Sequence, residues 1–404
     1  MKHRLLLALP QLPQDPTSGA ARTAQTASEM AAAAGWNVRA IGPTALEGNT
    51  SVNGAEWLGT LNLDLQIENL DPRNGHRISF RQRDIDYTLI DTGSLSMREW
   101  EEKHADEFDR LFHEQIERFR PHVILTYGGY PKHLKRLRMA RRAGCQIAFC
   151  VFNMGYLVPG FFDEMDSVLT PSDWLANYYR DAIGLKSTPL PSPIELGDVL
   201  ATEREPIFLT MVNPSIEKGL FFIARLAEEI GKHHPEIPLL VIESRGTAGM
   251  LAEAGKLGNF DLKRHENLMF ASSTQNPRDI YQPTRVLLVP SVWEEASGRV
   301  VAEALMNGIP PLVSDRGGLA ESCNGAGFVL PLPPELTLET RVPVGPEAVA
   351  PWLEVIVKLF EDETFYSSQA ARSLTASEIY QRNTLAPRYV EFFERTFAGI
   401  LSES

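Results

Sequence analysis

Short, fully apolar runs alternate with helix-length amphipathic segments along most of the chain, and this alternation constrains the fold more than any other feature. Runs such as RLLLAL at 4–9, VILTY at 123–127 and RVLLVPS at 285–291 are apolar on consecutive residues rather than on every second one. A strand carries such a run where both of its faces are covered, the condition met by a parallel sheet with helices on either side. Strands are expected at 4–9, 38–41, 87–90, 123–127, 146–152 and 167–170, then at 207–212, 239–243, 268–270, 286–290, 311–314 and 327–330. Helices are expected at 19–34, 98–118, 133–143 and 174–183, then at 219–233, 277–281, 299–306 and 346–362, with a last one over 367–401. The fold class is α/β.

At 404 residues the chain exceeds what one core supports, and its proline-rich stretch PLPSPIELGDVLATEREP breaks the pattern near the middle. The expected organisation is a first Rossmann-like domain over 1–190, a linker over 191–206, a second Rossmann-like domain over 207–366, and a C-terminal helical segment, 367–404, crossing back to the first. Two doubly wound domains facing across a cleft bind ligands at the carboxyl ends of their strands.

Charge narrows the partners. Asp and Glu outnumber Lys and Arg 52 to 39, a net charge of −13, which is the wrong sign for a nucleic-acid binder. Residues 1–190 hold 21 basic and 23 acidic side chains, so −11 of the total belongs to the remainder. One basic concentration stands out, the helix PKHLKRLRMARRAG with Lys132, Lys135, Arg136, Arg138, Arg141 and Arg142. It reads first as a solvated face and offers at most a peripheral membrane contact. Three cysteines, Cys145, Cys150 and Cys323, form neither a disulfide framework nor a zinc quartet. With no apolar stretch of about 18 residues and an N-terminal run broken at Pro10, the expected location is the cytoplasm, or the inner membrane face by peripheral contact.

The most informative stretch is PSVWEEASGRVVAEALMNGIPPLVSDRGGLAE, from Pro290 to Glu321. A buried strand ends in a polar turn containing Glu295, Ser297 and Gly298, and a helix then opens at Arg299. The amides of a helix N-terminus and its dipole favour a diphosphate, and Gly298 allows close approach. Glu303, one turn in, offers two oxygens to a vicinal diol such as a ribose. Glu295 offers acceptors to hydroxyls on the other side of the diphosphate.

The Glu295-x7-Glu303 spacing, the PS before it, the EALMNGIPPLVSDRGGLAE after it and VNPSIEKG at 212–219 together resemble retaining glycosyltransferases of family 4, which have the GT-B fold. In the first half, SGAARTAQTASEMAAAAGWNVRAIG and DSVLTPSDWLANYY resemble the family more loosely. The resemblance implies a nucleotide-sugar donor held by the second domain and an acceptor held by the first, the acceptor being a glycan, a lipid-linked molecule or a small molecule. It implies that Glu295 contacts the donor sugar, Glu303 the ribose, and Lys218 the diphosphate, where its charge helps the leaving group depart. No cofactor and no metal are expected: the histidines are scattered, and Asp84-Ile85-Asp86 is an ordinary pair of acids.

Two positions depart from the family. Asn213 stands where an arginine usually supplies a second diphosphate contact, and Arg245, after the next strand, is the expected substitute, with Arg299 the other candidate. Asn153 stands where a histidine often lies beside the reacting sugar. On the first domain's side, Gly19 and Arg22 at the opening of the first helix, Asn153 and Tyr127 are the remaining candidates. Two other readings of the same residues are a GT-B nucleotide-sugar epimerase and a non-catalytic descendant that binds nucleotide-sugar or glycan.

Overall fold

A computed structural model describes residues 2–47, 53–70, 75–103, 105–274 and 276–399. His104 within the expected helix 98–118, and positions 400–404 at the end of the C-terminal segment, lie outside these. The chain separates into two compact units. One comprises Met1–Pro171, Ala176–Pro193 and Arg382–Ser404, and the other Ser172–Leu175 and Ile194–Gln381.

The first unit is built on strands β1 (Arg4–Ala8), β2 (Asn37–Pro43), β3 (Gln66–Asn69), β4 (His76–Gln82), β5 (Ile85–Ile90), β6 (Val123–Thr126), β7 (Gln146–Cys150), β8 (Ser167–Thr170) and β9 (Thr188–Pro189). They lie in the order β3-β4-β5-β2-β1-β6-β7-β8-β9. The pairings are parallel except at the β3-β4-β5 edge, which is antiparallel. Leu5 and Leu7 of β1 enter one core, with Ala24 and Tyr87, while Leu6 and Ala8 enter another, with Trp100 and Phe112. Both faces are therefore apolar, which is why β1 reads as an unbroken run. Each buried leucine contributes about 1.5–3 kcal/mol.

The second unit holds β10 (Phe208–Val212), β11 (Leu239–Ile242), β12 (Leu268–Ala271), β13 (Thr284–Val289), β14 (Pro311–Ser314) and β15 (Phe328–Leu330), all parallel, in the order β12-β11-β10-β13-β14-β15. Alternation again divides one strand between two cores. Val286 and Leu288 face Phe222 and Trp352, whereas Leu287 and Val289 face Val301 and Leu305. The strand order reverses between β10 and β13, and the crevice outside the carboxyl ends of such a pair is where doubly wound sheets bind ligands.

Several expectations need correction. The stretch expected as a linker, 191–206, is integrated into the second unit from Ile194 onward. Val199 and Ala201 are buried in its core, and the Arg204 guanidinium donates to the carbonyls of Tyr281, Thr284 and Asn307. The expected helix 367–401 is broken: Glu363–Ala376 and a 3-10 turn, Ser377–Tyr380, belong to the second unit, and Arg382–Ala398 belongs to the first. There Leu385, Tyr389 and Phe393 join the core that holds Ala24 and Ala27, and the Tyr389 hydroxyl donates to Pro191 O at 3.0 Å. Of the expected helix 98–118, Met97–Lys103 and Ala105–Glu114 are α-helical and the last turn, Gln115–Phe119, is a π-helix. The β3-β4 hairpin and the helix Ala248–Leu257 carry no clear signature in the sequence.

Candidate functional site

Four neighbouring strands of the second unit, β11, β10, β13 and β14, end on loops that bind one another through the backbone. After β10, Asn213 adopts a left-handed conformation with φ 62° and its Oδ1 accepts from Gly246 N, after β11, at 2.7 Å. Gly246 must be glycine, since a Cβ there would lie 2.2 Å from the backbone of Pro214. Glu217 O accepts from Val292 N at 2.9 Å and Trp293 N at 3.1 Å, tying the β10 loop to the β13 loop. Gly219, with φ 95°, brings the same loop against Pro290, whose carbonyl oxygen would stand 2.3 Å from an added Cβ. On the other side, Gly318 N donates to Glu295 O at 2.7 Å, and the Gly317 backbone lies so close to Glu295 that no Cβ fits.

These closures bring Lys218 and Glu295 together. The Lys218 ammonium donates to Glu295 Oε1, and the same oxygen accepts from Ser291 Oγ at 2.8 Å. Both side chains keep partial exposure, 30% for lysine and 15% for glutamate, so the pair stands at the mouth of the site. Glu303 is deeper, 5% exposed, on the helix Arg299–Met306. Its Oε1 pairs with Arg299 Nε at 2.8 Å, and its Oε2 accepts from the Tyr281 hydroxyl at 2.6 Å.

Three of the expected donor-side groups have partners within the fold. Gly298 N–H is not an open anion donor, because it donates to Ser322 Oγ at 2.7 Å. Its missing side chain serves packing, for a Cβ would meet Leu319 and Val301 at 2.9 Å. Asn213 spends its carbonyl oxygen on Gly246 and acts as a loop anchor. Arg299 faces Glu303. Arg245 is exposed on the loop adjoining Pro214 and Ser215. It does not take Glu243, whose carboxylate accepts from Ala248 N at 2.7 Å. The Glu217 carboxyl is held below its ordinary range by its own backbone N–H and by the Ser215 hydroxyl, with the charges of Arg245 and Lys218 adding to the effect. Arg245 and Lys218 thus bear on the same carboxylate. Ser297 is half-buried between Glu295 and the helix.

Residues 195–331 match the family model described as glycosyl transferases group 1. Every residue of this site lies in that span. Among solved structures, sucrose-phosphate synthase from Thermosynechococcus elongatus superposes with a TM-score of 0.68 at 16% identity, covering 98% of this chain and 100% of the other. The catalytic domain of starch synthase IV from Arabidopsis thaliana, bound to ADP and acarbose, gives 0.69 at 12% identity, covering 98% and 99%. The Anabaena protein HepE, in complex with UDP and glucose, gives 0.62 at 14% identity, covering 96% and 99%. At these identities the likeness is one of fold: two consecutive Rossmann-like domains of the GT-B class. No curated protein sequence matches the chain.

In the first unit the strand order reverses between β1 and β6, and the expected residues lie in the loops after these strands and β7. Gly19 opens the helix Gly19–Ala33, capped by Ser18 Oγ accepting from Ala21 N, with Arg22 half-buried in its first turn. The loop before it is locked by fully buried Asp15, which accepts from Thr17 N at 2.8 Å and Glu47 N at 2.6 Å. Tyr127 is enclosed; burial, followed by the charges of Glu47 and Asp15, pushes its phenol well above the ordinary range. Asn153 closes a turn, its Oδ1 accepting from Gly155 N at 2.8 Å.

In the basic helix, Pro131–Arg142, the side chains of Lys132, Lys135 and Arg142 are exposed, while the other basic residues are paired. Arg136 is buried, paired with Glu101 at 3.1 Å and Asp109 at 2.5 Å, while Arg138 pairs with Glu164 and Arg141 with Asp166, each at 3.1 Å. Leu137 and Met139 pack on the core rather than outward. Asp84 sits in the tight β4-β5 turn with φ 62°, and both Asp84 and Asp86 pair with Arg81. No described helix is long and apolar enough to cross a membrane.

Tyr281, Ser291, Gly317 and Ser322 are the site residues that sequence reasoning missed. Ser291 and Gly317 lay within the motif stretch. Tyr281 and Ser322 are joined to the site only by folding.

Proposed function

We propose that the protein is a retaining glycosyltransferase that moves a sugar from a nucleotide-diphosphate sugar to an acceptor hydroxyl. The observation that carries this reading is the meeting of Lys218 with Glu295 in the loops after β10 and β13, where the strand order of the second unit reverses and the helix bearing Glu303 opens, inside the span matching glycosyl transferases group 1. Binding of nucleotides by two of the structural neighbours supports the donor class.

In this reading the second unit takes the donor and the first the acceptor, which is a glycan, a lipid-linked molecule or a small molecule. Lys218 leaves Glu295 for the diphosphate as charge develops on it. Glu295, relieved of its counter-ion, accepts from hydroxyls of the donor sugar. Glu303 accepts from the ribose. The bond between the anomeric carbon and the diphosphate oxygen breaks with its electron pair going to the diphosphate, and the acceptor oxygen attacks from the same face. The acceptor proton passes to the departing phosphate, so neither a histidine at Asn153 nor a metal is required. The reaction takes place in the cytoplasm.

The test is product analysis. UDP-, GDP-, ADP- and TDP-sugars are incubated with the protein in EDTA, with and without an acceptor panel, and the anomeric configuration of the new glycosidic bond is read by proton NMR. The expected result is release of the nucleoside diphosphate and a product of the donor's own anomeric configuration. Inversion refutes retention. Sugar altered while still attached to the nucleotide identifies an epimerase instead.

A further inference from the structure

Tyr281 ends the short helix Pro277–Tyr281, and its side chain is 1% exposed. The helix is fixed from both ends. Asn276 caps it, and just beyond it Thr284 Oγ1 donates to Ile280 O at 2.6 Å and accepts from Thr210 Oγ1 of β10 at 2.8 Å. The Arg204 guanidinium holds the Tyr281 carbonyl as well. The phenol is thus rigidly placed, and it delivers one proton to Glu303 Oε2 at 2.6 Å. A bond this short from a neutral hydroxyl to a carboxylate is charge-assisted and among the stronger hydrogen bonds a protein makes.

A carboxylate has about four acceptor positions, two on each oxygen. In Glu303 one on Oε2 is taken by Tyr281 and one on Oε1 by Arg299 Nε. One position remains on each oxygen, the number that two neighbouring hydroxyls of a vicinal diol need. Arg299 alone does not fix this arrangement, since a guanidinium pairs with a carboxylate through one oxygen or through both. Tyr281 holds Oε2 away from the bidentate pairing and keeps both outer positions available.

We propose that Tyr281 is a positioning residue that, acting through Glu303, makes the donor site selective for a nucleotide with an intact ribose diol. The inference rests on the reading of this site as a nucleotide-sugar site. Without the phenol hydroxyl, Glu303 turns onto Arg299 in the two-oxygen pairing, and the acceptor position left on each oxygen no longer points where the diol lies.

The experiment compares binding of UDP, GDP, ADP and CDP, and of their 2′-deoxy counterparts, by calorimetry to the full-length protein and to Tyr281→Phe, which removes one oxygen and leaves the ring in the core. For the nucleotide that binds best, the wild type is expected to prefer the ribo form by 10-fold or more. In Tyr281→Phe the ribo form weakens about 5- to 20-fold and the deoxy form by less than 2-fold, so the preference collapses. Glu303→Gln, which keeps the shape and replaces one acceptor by a donor, gives the same collapse, and adding Tyr281→Phe to it changes binding by less than 2-fold. Equal weakening of both forms in Tyr281→Phe shows a merely structural role and overturns the proposal. So does an unchanged preference, or a collapse absent from Glu303→Gln. If the wild type binds ribo and deoxy forms alike, this inference falls while the donor reading stands. If it binds none of them, both fall together.

Discussion

Lys218 and Glu295, 77 residues apart in sequence, meet side chain to side chain where the loops after β10 and β13 close on each other. Each is the other's counter-ion, and a diphosphate competes with the carboxylate for the ammonium. Glu295→Gln is therefore expected to tighten binding of the bare nucleoside diphosphate several-fold, because Lys218 no longer has an anionic partner. The same substitution lowers turnover at least about 100-fold, since Glu295 is proposed to hold the transferred sugar. Lys218→Ala lowers both. Calorimetry with the diphosphate alongside single-turnover kinetics separates the two responses, and tightening absent from Glu295→Gln contradicts the assignment.

The glycines that let these loops touch set a second expectation. Gly219→Ala places a Cβ 2.3 Å from Pro290 O at a φ of 95°, where side chains are rarely accommodated. The backbone has to move, at a cost of about 2–3 kcal/mol. Denaturant unfolding is expected to show that loss, together with weaker nucleotide binding. Gly35→Ala, also at positive φ but with nothing within 4 Å of the added carbon, is the control and is expected to leave binding intact.

Arg245 is the proposed substitute for the cation missing at Asn213. Arg245→Ala is expected to weaken nucleoside diphosphate binding about 3- to 10-fold and to reduce its salt dependence. Asn213→Arg does not recover the loss, because it removes the acceptor that holds Gly246 N. A titration at two ionic strengths checks both statements. Unchanged affinity in Arg245→Ala removes this residue from the site.

His133, buried in the first unit beside Thr126, has its pKa pushed down to about 3 by burial, with the charge of Arg136 adding to the shift. In the unfolded chain it titrates near 6.5. Between those values the unfolded state binds the proton and the folded state does not, so stability rises with pH. The contribution is complete above about pH 6.5 and falls by up to about 1.4 kcal/mol per pH unit as the pH drops toward 3. Comparing denaturation at pH 7.0 and 5.5, His133→Gln is expected to lose about 1 kcal/mol less than the wild type. An identical loss in both proteins contradicts the assignment.

What the sequence revealed follows from what each element buries. Strands such as β1 and β13 declare themselves because both faces are covered and the run is continuous. The β3-β4 hairpin does not, because β3 is an edge strand exposed at all four positions and carries no apolar pattern. The helix Ala248–Leu257 buries only Leu251, Ala254 and Gly255, too few to impose a period. In the site, Glu295 and Glu303 were legible because they share one strand-turn-helix stretch. Tyr281 and Ser322 were not, because their contacts depend on packing between elements. Asn213 stands out in the sequence only as the place of a missing arginine, and its left-handed backbone and the bond of its side-chain Oδ1 from Gly246 N are invisible in one dimension.

The central claim, that the second unit holds a nucleotide-sugar through Glu303 and its neighbours, is tested most directly by thermal shift with UDP-, GDP-, ADP- and TDP-sugars on the wild type and on Glu303→Ala. A ligand at 100 times its dissociation constant stabilises by about 2.7 kcal/mol, which raises a melting temperature by several degrees. The account predicts such a rise for one nucleotide class in the wild type and its loss in Glu303→Ala. No rise with any of them, or an equal rise in both proteins, contradicts it.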